Sequence, residues 1–258
     1  MTFSTVPVLF ALAASAIPVT AASRVEIMTW NVEGVKRQAI VYAPSAENGK
    51  APLVLSFHGH GDTMRNFQSV GIQDFWPQAI VVYPQGLPTS LSTESALPGW
   101  QTEKGRYDDR DLKLVDEMLV SLRAKFHVDD ARIYATGFSN GAMFTYLLWA
   151  QRPTVFAAFA PVAARLGGNV LPSVPKPLLH IAGRYDQTIP FEIQKKAVEA
   201  ARQVNGVSKK GESCGENCVL YPSANGTPVM TLFHSGGHEY PDGTSELIVK
   251  FFRQYSLH

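Results

Sequence analysis

Short apolar runs typical of buried strands alternate along this chain with longer segments of helical periodicity. An antiparallel pair at Val25–Trp30 and Arg37–Tyr42 comes first, and the later predicted strands are Leu53–Phe57, Ile80–Tyr83, Arg132–Thr136, Phe156–Val162, Leu178–Ala182 and Val229–His234. The first predicted helix has Asp109 or Asp111 as its cap and ends near Phe126. Three further helices are predicted at Ser139–Ala150, Phe191–Val204 and Thr244–Tyr255. Strands that alternate with helices build a mostly parallel sheet covered on both faces. No repeat or linker interrupts the pattern, so we predict one α/β domain.

The charge balance excludes some classes of partner. Twenty-three basic and 22 acidic residues leave a formal charge of +1, and 45% of the 258 residues are hydrophobic, which is enough for a sizeable core. A near-neutral chain offers no electrostatic attraction for nucleic acid or an anionic membrane. We therefore expect neither as a partner, and a small or neutral substrate instead.

Residues 1–22 have the character of a secretory signal peptide. The first charged side chain is Arg24, and the apolar run Val6–Val19 is followed by the small residues Thr20–Ser23. No Lys or Arg precedes the run, which departs from the usual pattern. The run is shorter than the ~20 residues of a membrane span and contains two prolines, which favours cleavage over anchoring. We therefore expect a secreted protein whose mature domain covers 23–258.

The only two cysteines, Cys214 and Cys218, lie close together in a polar stretch. A close, even pair in a secreted chain favours a small-loop disulfide. Two thiols cannot complete a tetrahedral zinc site alone.

The segment Gly137-Phe138-Ser139-Asn140-Gly141 matches the pattern G-x-S-x-G. It lies between a predicted strand and a predicted helix, where a sharp turn exposes a serine Oγ. Glycines are needed on either side because strand and helix pass close to one another. Ser139 is therefore the candidate nucleophile.

A serine nucleophile needs a base, and the base needs an orienting carboxylate. In serine hydrolases of this arrangement the carboxylate follows the serine in the chain, after a late strand. Asp186 follows the predicted strand Leu178–Ala182, although a turn aspartate is the alternative role. Two other groups of acidic residues fit the role less well. Asp129 and Asp130 precede a predicted strand and so lie at the wrong end of the sheet. Asp108, Asp109 and Asp111 precede the serine in the chain, and helix capping accounts for one or more of them.

The base is expected last, after the final strand, where His234 and His238 compete. His234 lies at the strand edge, where the backbone ladder would hold it. His238 follows a flexible Ser-Gly-Gly loop that could bring an imidazole to the serine, so it is the predicted base. His127 and His180 are expected to be structural.

Ester hydrolysis also needs donors for the oxyanion. The backbone N–H of Asn140, directly after the nucleophile, is the first candidate. The second is the N–H of His60, in the loop that follows an early strand.

The same early loop permits a different class of enzyme. His58-Gly59-His60-Gly61-Asp62 fits most of the binuclear metal pattern H-x-H-x-D-H, but Thr63 occupies the sixth position. A metal-dependent hydrolase with His58, His60 and Asp62 as ligands therefore stays an alternative.

Residues 128–164 resemble the poly(hydroxybutyrate) depolymerase / feruloyl esterase family of secreted α/β-hydrolases. Further motifs fit that family in the same order: Leu55–Gly61, Tyr83–Gly86, Gly99-Trp100, Asp108-Asp109 and Gly237–Pro241. The resemblance covers nearly all of the chain after the signal peptide. It implies an α/β-hydrolase fold and the triad Ser139, Asp186 and His238. The family often has a small residue or Cys where His60 stands, and usually Trp where Tyr240 stands. These departures leave the implied triad intact and leave the substrate preference open.

We therefore predict a secreted serine esterase that uses an acyl-enzyme mechanism, without metal or cofactor, and acts as a monomer. The family includes polyester depolymerases, feruloyl esterases and acetylxylan esterases, so small and polymeric esters both stay open. Trp100, on a long loop, is a candidate wall for the acyl group, with a buried structural role as the alternative. A non-catalytic binding protein on this fold is a further alternative, and it should lack part of the triad.

Overall fold

A ten-stranded mixed sheet forms the centre of the described part of the protein. The computed structural model describes residues 23–45, 49–90, 96–168 and 170–257, so the predicted signal peptide lies outside the described residues. Its strands are Arg24–Val32 (β1), Val35–Ala43 (β2), Ala51–Phe57 (β3), Ile80–Pro84 (β4), Val128–Phe138 (β7), Ala158–Val162 (β8), Leu178–Gly183 (β9), Glu212–Gly215 (β10), Cys218–Tyr221 (β11) and Val229–His234 (β12). The order across the sheet is β1-β2-β4-β3-β7-β8-β9-β12-β11-β10.

The six central strands are parallel, and an antiparallel hairpin closes each side of the sheet. A parallel sheet requires crossovers, and most of them contain helices here. The helices are Met64–Phe67 (α1), Ile72–Phe75 (α2), Arg110–Lys125 (α3), Asn140–Gln151 (α4), Phe191–Asn205 (α5) and Thr244–Phe252 (α6). None of the helices in the described ranges is long and apolar enough to cross a membrane.

The core consists of two apolar layers, one on each face of the sheet. Successive residues of a strand point to opposite faces, so Ile133 and Ala135 join the layer of α3, α4 and α5, whereas Tyr134 joins the layer of α1, α2 and α6. Helix α4 is buried at every position from Asn140 to Trp149, which explains why it is apolar all round. The predicted fold class is confirmed.

The strands and long helices lie close to their predicted positions, and β12 has the predicted bounds. The last helix is shorter than predicted, since regular structure ends at Phe252. The long loop after β4 contains a two-stranded hairpin, Leu87–Thr89 (β5) with Leu97–Gly99 (β6).

Asp109 occupies the N-cap position of helix α3, but its side chain forms no capping hydrogen bond, so the predicted capping by Asp109 or Asp111 is wrong. Asp109 precedes the helix but accepts hydrogen bonds from Gln101 Nε2 (2.8 Å) and Gly105 N (2.7 Å). Asp111 is fully buried and forms an ion pair of 2.8 Å with buried Arg37 of β2. A buried carboxylate requires a partner of this kind, which takes precedence over capping.

Cys214 and Cys218 form the predicted disulfide, which joins the ends of β10 and β11 at one edge of the sheet.

Candidate active site

Ser139 occupies a sharp turn between strand β7 and helix α4. Its φ of 53° and ψ of −117° are rare for a residue with a side chain, a strain of roughly 1–3 kcal/mol that the surrounding structure must offset. A Cβ on Gly137 would lie 2.7 Å from the Gly141 carbonyl carbon, and one on Gly141 would lie 2.5 Å from the His58 oxygen. Both flanking positions therefore require glycine. The Ser139 N–H donates to Val162 O at 2.9 Å, which ties the turn to β8.

The three predicted triad residues meet beyond the carboxyl ends of the parallel strands. His238 Nε2 lies 2.8 Å from Ser139 Oγ, and His238 Nδ1 lies 2.8 Å from Asp186 Oδ2. The Asp186 side chain is fully buried, whereas 18% of the His238 side chain is exposed. This geometry suits an imidazole whose Nδ1–H donates to the carboxylate and whose Nε2 accepts a hydrogen bond from the serine hydroxyl.

Backbone contacts between two loops bring the acid and the base together. After β9, the N–H of Arg184 donates to His234 O (2.9 Å), and the N–H of Tyr185 donates to Gly236 O (3.0 Å). A Cβ on Gly183 would overlap the Gly237 carbonyl oxygen, so the loops can approach this closely only because Gly183 has no side chain. The loop that carries His238 is thereby held against the loop that carries Asp186.

The Asp186 carboxylate is surrounded by donors. Its Oδ1 accepts from the N–H groups of Thr188 (2.9 Å) and Ile189 (2.8 Å). Its Oδ2 accepts from Gln194 Nε2 (2.8 Å) and from His238. These contacts fix the orientation of the carboxylate. The contact with Gln194 was not predicted, because no sequence pattern marks a helix residue that faces this carboxylate.

The two predicted oxyanion donors lie next to the serine. Asn140 is the first residue of α4, and a Cβ on Gly59, directly before His60, would lie 3.6 Å from Ser139 Cβ. Within the described ranges, neither the Asn140 N–H nor the His60 N–H has a hydrogen-bond acceptor. Free backbone donors beside a serine hydroxyl are what a developing oxyanion requires.

The expectation that Trp100 forms a wall of the substrate site is not met, and the structural alternative holds. Its side chain is fully buried and stacks on Phe144 with ring centroids 5.6 Å apart. Its backbone forms two hydrogen bonds with the Asn140 side chain, of 2.7 and 3.1 Å, and its indole N–H donates to His58 O (2.9 Å). Trp100 therefore holds Asn140, which directly follows the serine, and His58 of the early loop from within the core.

The alternative metal site is not assembled. His58 is buried, with Nδ1 2.7 Å from Gly59 O and Nε2 accepting from Gly86 N (2.9 Å), so both nitrogens have protein partners. Burial lowers the pKa of His58, which favours a neutral imidazole that can accept at Nε2. His60 Nε2 lies 2.7 Å from Thr89 O and therefore donates. In the residues that the structure describes, no three His, Cys, Asp or Glu side chains converge on one point.

The other histidines differ from His238 in their surroundings. His234 Nδ1 accepts from Gly236 N (3.1 Å), and burial lowers its pKa. His127 is exposed. His180 is fully buried, with Nδ1 2.8 Å from Tyr146 Oη.

Comparisons with known proteins agree with the fold and with the predicted resemblance. No protein-family model matches the chain. The bifunctional acetylxylan esterase/xylanase XynS20E of Neocallimastix patriciarum is 31% identical over 170 residues, covering 62% of this chain and 23% of that protein. Feruloyl esterase B of Piromyces equi is 25% identical over 86% of this chain and 46% of its own length. Poly(3-hydroxyalkanoate) depolymerase C of Paucimonas lemoignei is 26% identical over 76% of this chain and 56% of its own length.

Solved structures show the same fold. A ferulic acid esterase superimposes with a TM-score of 0.65 at 15% identity, covering 90% of this chain and 98% of its own. The acetyl xylan esterase of Aspergillus awamori gives 0.63 at 16% identity, covering 89% and 99%. The α/β-hydrolase fold and the resemblance to the depolymerase and feruloyl esterase family are thus confirmed. The chain spans between 23% and 56% of the length of the three curated relatives named above.

Proposed function

We propose that this chain, an α/β-hydrolase similar to feruloyl esterases, acetylxylan esterases and polyhydroxyalkanoate depolymerases, is a serine esterase that hydrolyses carboxylic esters. The observation that carries the proposal is the unbroken hydrogen-bonded series from Ser139 through His238 to Asp186, with 2.8 Å at each step. The amide N–H groups of Asn140 and His60, which have no acceptor within the described ranges, support it further.

In the first step His238 Nε2 takes the Ser139 proton as Oγ attacks the ester carbonyl carbon. The carbonyl oxygen becomes an oxyanion, which accepts hydrogen bonds from the Asn140 and His60 N–H groups. His238 then donates its proton to the alcohol oxygen as the ester C–O bond breaks, which leaves an acyl-Ser139.

In the second step water replaces the alcohol. The water oxygen attacks the acyl carbon while His238 takes a proton from the water. His238 then returns this proton to Ser139 Oγ as the acid leaves. Asp186 holds the imidazole with Nδ1–H toward the carboxylate, so that Nε2 is the free base in both steps, and it stabilises the transient imidazolium.

For the substrate, we propose the ester classes that the names of the relatives indicate: feruloyl or acetyl esters of polysaccharides, or polyhydroxyalkanoate-type polyesters. We also propose that residues 1–22 are a signal peptide, that 23–258 are one catalytic domain, and that the protein is a secreted monomer. The Cys214–Cys218 disulfide supports secretion, because such bonds persist in oxidising compartments.

The deciding experiment compares Ser139→Ala with wild type on p-nitrophenyl esters of graded chain length, methyl ferulate and a soluble polyhydroxybutyrate oligomer. We expect Ser139→Ala to lower kcat by at least about 10⁴-fold with an unchanged circular dichroism spectrum. Ser69→Ala, at an exposed serine whose hydroxyl donates to Asn66 O, is the matched control and should retain activity.

Wild-type turnover by Ser139→Ala would overturn the proposal. A second arm adds a chelator. Inhibition by the chelator with recovery on added zinc would favour the metal-dependent alternative at His58 and His60, whereas inactivation by an organophosphate with a mass increase on Ser139 supports the serine mechanism.

A further inference from the structure

Three buried polar side chains form a series that starts at Asp186, where Gln194 donates to Oδ2. Gln194 lies on α5, His180 on β9 and Tyr146 on α4, and all three are essentially without exposed surface. Helices and strand thus place a series of hydrogen-bonding groups in the apolar layer beneath the site. Buried polar groups are costly unless they are paired, so such a series needs an explanation.

The amide of Gln194 can have only one orientation. Its Nε2 lies 2.8 Å from Asp186 Oδ2 and 2.7 Å from Ile189 O, and both of these atoms are acceptors. The end of the amide that faces them must therefore be the NH₂ group. Gln194 Oε1 then points away from Asp186, and it is buried without a hydrogen-bond partner among the residues that the structure describes.

His180 presents the complementary group. Its Nδ1 lies 2.8 Å from Tyr146 Oη. Within the described part of the chain its Nε2 is buried without a partner, as is Gln194 Oε1. Burial lowers the pKa of His180 to about 4, opposed by its interaction with the Gln194 side chain, so the imidazole is neutral and carries one proton. A proton on Nε2 lets it donate to Gln194 Oε1 after a small side-chain adjustment. Nδ1 then accepts from the Tyr146 hydroxyl, and the unpaired atoms of His180 and Gln194 satisfy one another.

We propose that Tyr146, His180 and Gln194 form a relay of hydrogen bonds, each donating toward Asp186, that positions the carboxylate for His238. The inference rests on the proposed function, since it gives these residues a role in orienting the triad. They are positioning residues, because none touches the substrate or the serine. No proton is transferred along the relay. It holds Oδ2 at the point where His238 must donate from Nδ1, which leaves Nε2 as the base.

The first test needs no activity. Long-range ¹H–¹⁵N correlation spectra of the wild-type protein identify the tautomer of each histidine from its carbon-bound ring protons. We expect His180 as the neutral Nε2–H tautomer between about pH 6 and pH 8. The Nδ1–H tautomer would overturn the relay, because the Gln194 oxygen would then face a lone pair.

The second test compares two tyrosines. Tyr146→Phe removes the hydroxyl that donates to His180 and retains the ring. Tyr134→Phe is the matched control, because this tyrosine is also buried but lies in the layer on the other face of the sheet and donates to Tyr255 O (2.6 Å).

We expect kcat to fall by about three- to tenfold in Tyr146→Phe, with KM unchanged, and to stay at the wild-type value in Tyr134→Phe. Gln194→Leu, which removes the direct bond to Asp186, should lower kcat by about tenfold or more. Wild-type kcat in Tyr146→Phe would overturn the relay even if Gln194→Leu failed to fold.

Failure of the proposed function would be recognised separately, because Ser139→Ala would then leave hydrolysis unchanged or no ester would be hydrolysed at all. In that case the histidine ¹H–¹⁵N spectra still test whether the relay exists. A shift of the His238 ring signals in Tyr146→Phe but not in Tyr134→Phe supports the relay, and equal spectra in both variants contradict it.

Discussion

Replacing Gly183 by alanine should separate the proposed acid and base without changing either. The new methyl group would overlap the Gly237 carbonyl oxygen and lie 2.6 Å from that of Gly236. Both obstacles are backbone atoms, so the loop that carries His238 must move away by about 1 Å to reach ordinary contact distance. A displacement of this size in a catalytic group can cost about 10²-fold in rate. We therefore expect kcat/KM to fall by about 100-fold, with roughly 1–3 kcal/mol of lost stability from the overpacking.

The assay is steady-state hydrolysis of a p-nitrophenyl ester, with urea unfolding measured in parallel. Gly237→Ala is the matched control in the adjoining loop, because the nearest atom to its Cβ, Tyr185 O, would be 3.8 Å away. The control should lose much less activity than Gly183→Ala. A folded Gly183→Ala enzyme that retained kcat/KM within about threefold of wild type would refute the view that close approach of the two loops aligns the acid and the base.

Three further outcomes are expected. His238→Ala should lower kcat by about 10⁴-fold or more, whereas His234→Ala should mainly lower stability, since its ring accepts a hydrogen bond from its own loop; the reverse result would refute the base assignment. Mass spectrometry without reductant should find Cys214 and Cys218 bonded, and reduction should cost less than the roughly 3 kcal/mol of a 15-residue loop, whereas ready alkylation of native protein would contradict this. His180, with a pKa of about 4, binds its second ring proton at lower pH in the folded protein than in the unfolded chain. The free energy of unfolding should therefore decrease by at most about 3 kcal/mol as the pH falls from ~6.5 to 4. A free energy from urea unfolding that stays constant across this pH range would contradict the prediction.

The parts of the fold that follow from periodicity could be predicted from the sequence. Burial on both faces makes the central strands short apolar runs, and β12 has the predicted bounds for this reason. Residues whose roles depend on distant partners could not be predicted. Asp111 resembles a helix cap in the sequence, yet its partner is Arg37, which lies 74 positions earlier in the chain.

The residues of the candidate site likewise fall into those marked by a local sequence pattern and those that depend on distant contacts. Ser139 is recognisable because its turn imposes a local pattern of glycines, and Asp186 and His238 follow from chain order once the sheet is assumed. Gln194 carries no such mark, since it contacts Asp186 only after α5 packs on β9. The role of Trp100 stays open in the sequence, because a loop position does not reveal that the side chain turns into the core.

Strand β10 lies at an open edge of the sheet, where unpaired N–H and C=O groups can recruit a strand from another molecule. All four of its residues are exposed. The strand is short, a bulge between Ser213 and Gly215 interrupts its register, and the Cys214–Cys218 bond holds it in a closed hairpin. Short, irregular edges are poor templates for further pairing. We therefore expect the disulfide to matter for colloidal behaviour more than for catalysis, so that reduced protein would self-associate while its individual molecules stay active.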